Sequence, residues 1–130
     1  MERVPALLVM HADLAAALLR AAEKLYGPIE GVEVVSNEGL SRAALEVEIA
    51  RRIEGWSGGG IVLTDIWGGS CHTSGVAASR GRTLAIVSGV NLPTLLDYLH
   101  NREGAEPFEL AERLIKKGQD SIRIHSGLGS

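Results

Sequence analysis

A histidine, an aspartate and a serine stand at positions of this sequence where chemistry is expected. His11 and Asp65 each follow a short apolar run, and Ser70 follows Gly68 and Gly69. A neutral imidazole is nucleophilic at one nitrogen when the other donates its proton to a carboxylate. Backbone N–H groups at a helix start bind anions. The pattern predicts His11 as a nucleophile, Asp65 as its carboxylate partner and Ser70 as part of an anion site suited to a phosphoryl group.

The same residues admit other interpretations. His11 could be only a helix-cap residue at a loop, and Asp65 a turn or cap aspartate. His11, Asp65, Cys71 and His72 together could hold zinc, but the tight ligand spacing of metal sites is missing, so no metal is predicted. Cys71 as a nucleophile with His72 is disfavoured, because adjacent residues on a helix point about 100° apart.

Two neighbouring features bear on ligands and partners. Trp67 lies beside the predicted site, where it either packs as a cover or docks a partner, and docking is the favoured interpretation. The glycine run at residues 58–60 lacks the lysine and the spacing of a nucleotide-binding P-loop. No cofactor is therefore predicted.

The composition is that of an ordinary globular protein, and residues 1–130 are predicted to form one domain. A net charge of −3 and a pI near 5.8 argue against nucleic acid as a partner, because phosphate binding needs a basic face. No apolar run has the length of a membrane span or of a signal-peptide core, so no membrane insertion is predicted. The single cysteine cannot form an internal disulfide, which fits a reducing cytoplasm.

Apolar strands alternate with helical segments along the whole chain. The predicted strands are residues 4–10, 32–35, 61–64 and 83–88, and the predicted helices are residues 13–26, 41–53, 70–79, 91–100 and 107–117. This alternation indicates right-handed βαβ units. The predicted fold class is α/β, with a single doubly wound, mainly parallel sheet of about four strands, helices on both faces and a short C-terminal edge strand. The first, third and fourth strands then bring His11, Asp65 and Asn91 to one edge of the sheet.

Capping residues and apolar spacing give each helix its predicted ends and its inward face. Ser41, Ser70 and Asn91 are predicted to cap the second, third and fourth helices, and Gly118 to end the fifth. The residues predicted to face inward are Leu14, Leu18, Ala22 and Leu25 in the first helix, Leu45, Ile49 and Ile53 in the second, and Leu110 and Leu114 in the fifth.

The segment from Ser121 to His125 alternates polar and apolar residues like a strand with one covered face. A strand this short at a chain end needs a partner, because a bare sheet edge invites pairing. Pairing with a second copy of the chain fits the pattern, and so does a strand folded back on its own sheet.

A strand ending in histidine, followed by residues 62–70 and 88–93, resembles the IIA component of the mannose family of the bacterial phosphoenolpyruvate:sugar phosphotransferase system. The likeness runs from about residue 4 to about residue 123. The Asp-x-Trp-Gly-Gly-Ser motif at residues 65–70 and the Gly-Val-Asn-x-Pro motif at residues 89–93 are specific in combination.

The resemblance implies a cytoplasmic phosphocarrier that takes a phosphoryl group from phospho-HPr and passes it to a separate IIB protein for sugar uptake. By position, His11 would be the acceptor at Nε2, Asp65 its partner at Nδ1 and Ser70 part of the phosphoryl cradle. Members of the family are typically dimers in which the last strand pairs with the partner subunit. Further positions that would line the site are Gly68, Gly69 and Asn91.

The sequence departs from the family pattern around the histidine. Ala12 stands where the family usually has glycine, and Cys71, His72 and Thr73 replace the usual proline, aromatic residue and asparagine. Loss of a flanking glycine is expected to affect the rate of phosphoryl transfer or the identity of the partner protein. It leaves the nucleophile in place. Two alternative functions remain open. In the first, phosphorylation of the same histidine serves regulation or supplies a dihydroxyacetone kinase. In the second, the chain is a non-enzymatic binding module on the same fold.

Overall fold

The computed structural model describes residues 2–129. Nine elements follow one another within these residues. The strands are β1 (Ala6–Met10), β2 (Val32–Ser36), β3 (Gly60–Thr64) and β4 (Leu84–Val87), and the helices are α1 (Leu14–Tyr26), α2 (Arg42–Ile53), α3 (Ser70–Ala78), α4 (Leu92–Asn101) and α5 (Pro107–Asp120). Within these residues, no helix is both long enough and apolar enough to cross a membrane.

The four strands form one parallel sheet in the order β2-β1-β3-β4. Helices α1, α4 and α5 pack on one face, around a core that includes Leu8, Ile61 and Leu95. Helices α2 and α3 pack on the other face, around a second core that includes Val9 and Val62. The predicted α/β fold class, a doubly wound parallel sheet of four strands, is confirmed.

The two central strands are buried on both faces, which their apolar composition requires. Every residue of β1 and of β3 is buried. Parallel strands covered by helices on both sides must exclude water from both sets of side chains, so they carry continuous apolar runs. Each of these two central strands delivers one polar residue, His11 or Asp65, to the carboxyl edge of the sheet.

Two of the predicted helix caps are present in the structure. The Ser41 side chain accepts a hydrogen bond from the backbone N–H of Ala44 at the start of α2. The Asn91 side chain accepts from the backbone N–H of Thr94 at the start of α4. Each cap satisfies a helix N–H that lacks an intrahelical partner, which is why residues of this type mark the boundary in the sequence.

The inward face of α1 differs from the prediction. Leu14 and Leu25, which were predicted to face inward, are exposed. Ala22 is buried as predicted, Leu18 is partly buried against the core, and Ala15 is buried in addition. The small alanines face the sheet because they let the helix axis approach the strands, which leucine spacing alone does not indicate. The predicted inward faces of α2 and α5 are confirmed.

Gly118 does not end α5, which continues to Asp120. A methyl group at Gly118 would stand 2.5 Å from Oγ1 of Thr94 on α4. The glycine therefore permits close contact between two helices, and the predicted helix stop at this position is wrong.

Residues 121–125 do not form a strand in the single chain, so the predicted C-terminal edge strand is absent here. Ile122 is 79% exposed and Ile124 is 97% exposed. The alternative in which this segment folds back on its own sheet is wrong, since nothing in the described chain pairs with it as a strand. Pairing with a second copy stays a prediction.

Candidate functional site

His11 and Asp65 contact each other at the carboxyl edge of the sheet. Val9 of β1 is in register with Thr64 of β3, so the residues that follow the two strands are neighbours. The His11 backbone N–H donates to Oδ2 of Asp65 at 3.0 Å. Nδ1 of the His11 ring lies 2.9 Å from Oδ2 and 3.1 Å from Oδ1 of the same carboxylate. One carboxylate thus holds both the backbone and the ring of His11.

This contact assigns the proton of the neutral His11 ring. A carboxylate only accepts hydrogen bonds when ionised, so Nδ1 must be the donor and Nε2 carries the lone pair. The His11 side chain is 41% exposed, whereas that of Asp65 is 12% exposed. A largely buried acid therefore fixes a ring whose second nitrogen is open to a reaction partner.

Ser70 lies on the other side of the His11 ring. Its Oγ is 3.5 Å from Nε2, at the limit of hydrogen-bond distance. The predicted cap at Ser70 is wrong, because Gly69 is the N-cap residue of α3 and Ser70 is the first residue of the helix. Gly68, with φ of 81°, completes the turn that shifts the helix start. The Ser70 hydroxyl consequently faces His11 and does not cap the helix.

Gly69 packs directly against the His11 ring. A methyl group at this position would stand 3.2 Å from Cε1 of His11 and 2.8 Å from Cγ2 of Ile66. The missing side chain lets the start of α3 come close to Nε2. The first-turn N–H groups of a helix lack intrahelical partners, and they give this end a partial positive charge that suits an anion.

The backbone after His11 is held by the end of β2. Ala12 has φ of 52°, in the left-handed region that favours glycine. The Ala12 N–H donates to Oδ1 of Asn37 at 3.1 Å, and the Ser36 hydroxyl donates to the Ala12 carbonyl at 2.6 Å. Ser36 and Asn37 were not predicted as part of the site. Ser36 ends the strand that neighbours β1 and Asn37 follows it, but this position indicates a role at the site only once the sheet order is known.

Asn91 reaches the same sheet edge, but its side chain is engaged elsewhere. The N–H of Val90 donates to the Thr64 carbonyl at 3.1 Å, which brings the loop after β4 to the end of β3. The Asn91 amide caps α4 and donates through Nδ2 to the Gly118 carbonyl at 3.2 Å. None of its hydrogen bonds in the described chain is to His11, Asp65 or Ser70. A role in lining the site stays a prediction.

Trp67 projects from the turn between β3 and α3. The residue is 77% exposed, and its neighbour Ile66 is 55% exposed. The Trp67 ring lies 4.3 Å from the ring of His72, centroid to centroid, at an interplanar angle of 34°. Two large apolar side chains in the turn after Asp65 are thus exposed to water, which agrees with the exposure expected of a docking residue.

Cys71 is buried behind the site. Its pKa is raised to about 11, first by burial and then by the negative charge of Asp65. Ligand atoms of His11, Asp65 and Cys71 lie within 4.8 Å of one another, so the structure brings together three of the four residues weighed for zinc. Zinc at this cluster was not predicted, and the contact of Asp65 with Nδ1 of His11 gives the carboxylate a different role.

The arrangement defines an α/β protein with a histidine and its carboxylate at the carboxyl edge of a parallel sheet. The profile of one family, described as the fructose IIA component of the phosphotransferase system, matches residues 6–115. The chain belongs to this family, the mannose- and fructose-type IIA components of the phosphotransferase system.

Solved structures share the fold. The EIIA phosphotransferase component from Streptococcus agalactiae is 23% identical, with a TM-score of 0.86, over 93% of this chain and 96% of that one. The mannose/sorbose-specific IIA subunit from Enterococcus faecalis is 19% identical, with a TM-score of 0.86, over 96% of each chain. A IIA protein associated with the fucose utilization operon of Streptococcus pneumoniae is 21% identical, with a TM-score of 0.82, over 95% of this chain and 96% of that one. A search of curated proteins finds no match.

Proposed function

We propose that this chain is a phosphocarrier that accepts a phosphoryl group from phospho-HPr on Nε2 of His11 and passes it to a separate IIB protein for sugar uptake. The observation that carries the proposal is the contact of 2.9 Å between Nδ1 of His11 and Asp65, which leaves the Nε2 lone pair available. Membership of the IIA family supports phosphoryl transfer as the general role. The proposed location is the cytoplasm, where these partners would be met.

The chemical step follows from the tautomer. The Nε2 lone pair attacks phosphorus in line, the new N–P bond forms, and the bond to the leaving group of the donor breaks with its electron pair. The ring then carries a positive charge, which Asp65 stabilises through Nδ1–H. Transfer onward reverses the step, with the nitrogen of His11 as the leaving group. The proposal needs no metal or cofactor.

The start of α3 would hold the oxygen atoms of the phosphoryl group. The Ser70 hydroxyl can donate to an oxygen on Nε2, since the two atoms are 3.5 Å apart before any group is bound. The first-turn N–H groups of α3, brought close by Gly69, would receive the remaining negative charge. Gly68 and Gly69 are therefore proposed as site-lining residues.

Trp67 and Ile66 are proposed to form the docking surface for both protein partners. A carrier that receives and delivers one group must present the same histidine to each partner in turn. Exposed tryptophan is typical of interface centres, because it buries a large apolar area with few rotatable bonds. Both side chains follow Asp65 directly in the chain and are mostly exposed.

A homodimer is also proposed, through residues 121–125. Ile122 and Ile124 are exposed apolar residues that follow α5, and β4 is an edge strand with no strand beside it on one side among residues 2–129. A cavity of about 110 Å³ along this edge is lined by residues of β4, α4 and α5 and by Ile122. Exchange of the segments across a two-fold axis would cover the apolar residues and satisfy backbone groups.

Mass spectrometry after incubation with phosphoenolpyruvate, enzyme I and HPr tests the proposal. The expected result is one phosphoryl group, on His11, and none on the His11→Ala variant. His100→Ala is the matched control, since His100 is exposed in the last turn of α4 and outside the proposed site and dimer segment, and it should be phosphorylated normally. Label on His72, or on no residue, would contradict the proposal.

Addition of IIB proteins from the same genome separates the alternatives. Loss of the phosphoryl group to one of them supports sugar transport. A phosphorylated chain that transfers to no IIB protein would favour regulation or supply of a dihydroxyacetone kinase. A chain that HPr never phosphorylates would favour a non-enzymatic binding module.

A further inference from the structure

His72 makes two contacts with the turn that precedes its own helix. Its Nδ1 accepts a hydrogen bond from the backbone N–H of Gly68 at 3.1 Å. Its ring packs on the ring of Trp67, with 4.3 Å between centroids. Residues 65–69 connect β3 to α3, and this turn carries both the exposed Trp67 and the Gly69 that packs against His11.

We propose that His72 is a positioning residue for the site, with a separate task for each contact. The Nδ1 atom fixes the backbone of the turn and thereby places Gly69 and Ser70 against His11. The face of the ring holds Trp67 in the orientation used for docking. The inference rests on the proposed function, and it adds a residue with no contact to the reacting atoms.

The hydrogen bond acts on the geometry of the site through two consecutive residues. Gly68 has φ of 81°, and Gly69 then adopts an extended conformation before α3 begins. Glycine explores many conformations, so a Gly-Gly pair has little intrinsic preference for this one. An acceptor on the Gly68 N–H removes that freedom. Rotation of this peptide would move Ser70, whose Oγ is 3.5 Å from Nε2 of His11.

The contact with Gly68 also assigns the tautomer of His72. Because Nδ1 accepts a hydrogen bond, the neutral ring carries its proton on Nε2. His11 has the opposite tautomer, with the proton on Nδ1 facing Asp65. The two histidines are therefore distinguishable by the nitrogen chemical shifts of their rings. This difference gives a spectroscopic signature that does not depend on any phosphoryl transfer.

The contact with Trp67 covers one face of an otherwise exposed ring. Trp67 is 77% exposed, and a single exposed tryptophan would sample several rotamers in water. A tilted stack against a ring on α3 restricts those rotamers before a partner arrives. Ordering a side chain in advance lowers the entropic cost of binding, so the effect should be seen in affinity for the phosphorylated donor.

Two substitutions separate the two tasks. His72→Asn keeps an acceptor atom at the same distance from Cβ, so it can accept from Gly68, but it removes the aromatic face. His72→Phe keeps the aromatic face and removes the acceptor. We expect His72→Asn to raise KM for phospho-HPr by about 2- to 10-fold with kcat close to that of the unchanged chain. We expect His72→Phe to lower kcat by about 2- to 10-fold with KM little changed.

Two measurements without phosphoryl transfer accompany the kinetics. Hydrogen exchange at the Gly68 amide should be faster in His72→Phe and unchanged in His72→Asn. Fluorescence anisotropy, measured in a Trp56→Phe background so that Trp67 alone reports, should fall in His72→Asn and not in His72→Phe. Thermal unfolding of both variants should match the unchanged chain, because His72 lies outside the buried core.

Equal effects of the two substitutions on kcat and KM, or no effect of either, would overturn the assignment. If the unchanged chain is not phosphorylated on His11, the proposed function fails. The exchange and anisotropy measurements then still decide whether His72 holds the turn. Unchanged exchange at Gly68 in His72→Phe would overturn that part independently.

Discussion

At the scale of single residues, the proposed chemistry depends on which nitrogen of His11 carries the proton. Asp65 places that proton on Nδ1, because its carboxylate accepts hydrogen bonds from Nδ1 and from the backbone N–H of His11. The exposed fraction of the Asp65 side chain is only 12%, so water competes little for the carboxylate. A short acid at the end of the neighbouring strand would thus prepare His11 for its proposed role as the nucleophile.

Asp65→Asn should therefore slow phosphorylation of His11 by about 10²-fold or more, with the fold intact. The amide can donate to Nδ1, which favours the tautomer with a proton on Nε2 and removes the nucleophilic lone pair. Single-turnover transfer from phospho-HPr measures the rate. Asp13→Asn is the matched control, because Asp13 is exposed, lies two residues from His11 and makes no side-chain cap hydrogen bond.

Neither added zinc nor EDTA should change these rates, since Asp65 is proposed to hold a proton and not a metal ion. Equal rates for the unchanged chain and Asp65→Asn would show that the pairing has no part in the chemistry.

Cys71 supplies a prediction about pH at the residue scale. Its pKa is raised from an ordinary value of 9.0 to about 11 in the folded chain, with burial as the main cause. The folded state thus holds the thiol proton more tightly than the unfolded state. The contribution to stability is fully present below about pH 9 and is lost as the pH rises through about 11.

The unfolding free energy should accordingly fall between pH 9 and pH 11, and Cys71→Ala should lack that part of the decline. Urea denaturation at several pH values measures it. Iodoacetamide at pH 8 should modify Cys71 slowly in the folded chain and rapidly in urea. Rapid modification of the folded chain would contradict the assignment of a buried, protonated thiol.

At the scale of elements, the connection between β1 and α1 shows an unusual backbone conformation. Ala12 has φ of 52°, and it is the one non-glycine residue with positive φ among residues 2–129. This region costs an L-residue about 1–2 kcal/mol. Asn37 and Ser36 hold the connection from both sides. The strain lies directly beside His11, where unusual backbone conformations are often functional.

Ala12→Gly should raise the unfolding free energy by about 0.5–1 kcal/mol, because relief of the left-handed strain exceeds the added entropy of the unfolded chain. Urea denaturation measures the change. Ala16→Gly within α1 is the matched control, and it should lower stability by about 1 kcal/mol. A destabilised Ala12→Gly variant would show that the conformation carries no strain.

At the scale of the whole molecule, the end of the chain has no partner in the described structure. Ile122, Ile124 and Leu128 are 79%, 97% and 99% exposed. Isolated apolar side chains on a surface are common, but three on one short unpaired segment form a surface that a second copy can cover. The edge strand β4 offers the backbone groups for pairing.

A chain truncated after Ser121 keeps all of α5 and its C-cap residue, and it lacks the exposed segment that follows. Sedimentation equilibrium at micromolar concentration should show a dimer for the full chain and a monomer for the truncated one. Ile124→Asp in the full chain should weaken the dimer without altering the secondary structure. A full-length monomer, or a truncated chain that still dimerises as tightly, would rule out the exchanged strand.

Much of the fold was determined locally, and the sequence therefore predicted it. Ser41 and Asn91 mark helix starts because their side chains bond backbone groups three residues away. The strands β1 and β3 were predictable because burial on both faces requires unbroken apolar runs. The convergence of His11 and Asp65 on one edge followed from parallel topology.

Only the tertiary structure decided the features that depend on contacts distant in sequence. In the sequence, Gly118 has the residue type that commonly ends a helix. In the structure, Thr94 of α4 packs so closely against Gly118 that there is no room for a side chain. The sheet order put Ser36 and Asn37 beside Ala12, and the turn at Gly68 placed Ser70 one residue inside its helix. Capping and periodicity act over a few residues and are visible in a sequence, whereas helix approach, sheet order and the facing of side chains arise only when separate elements pack together.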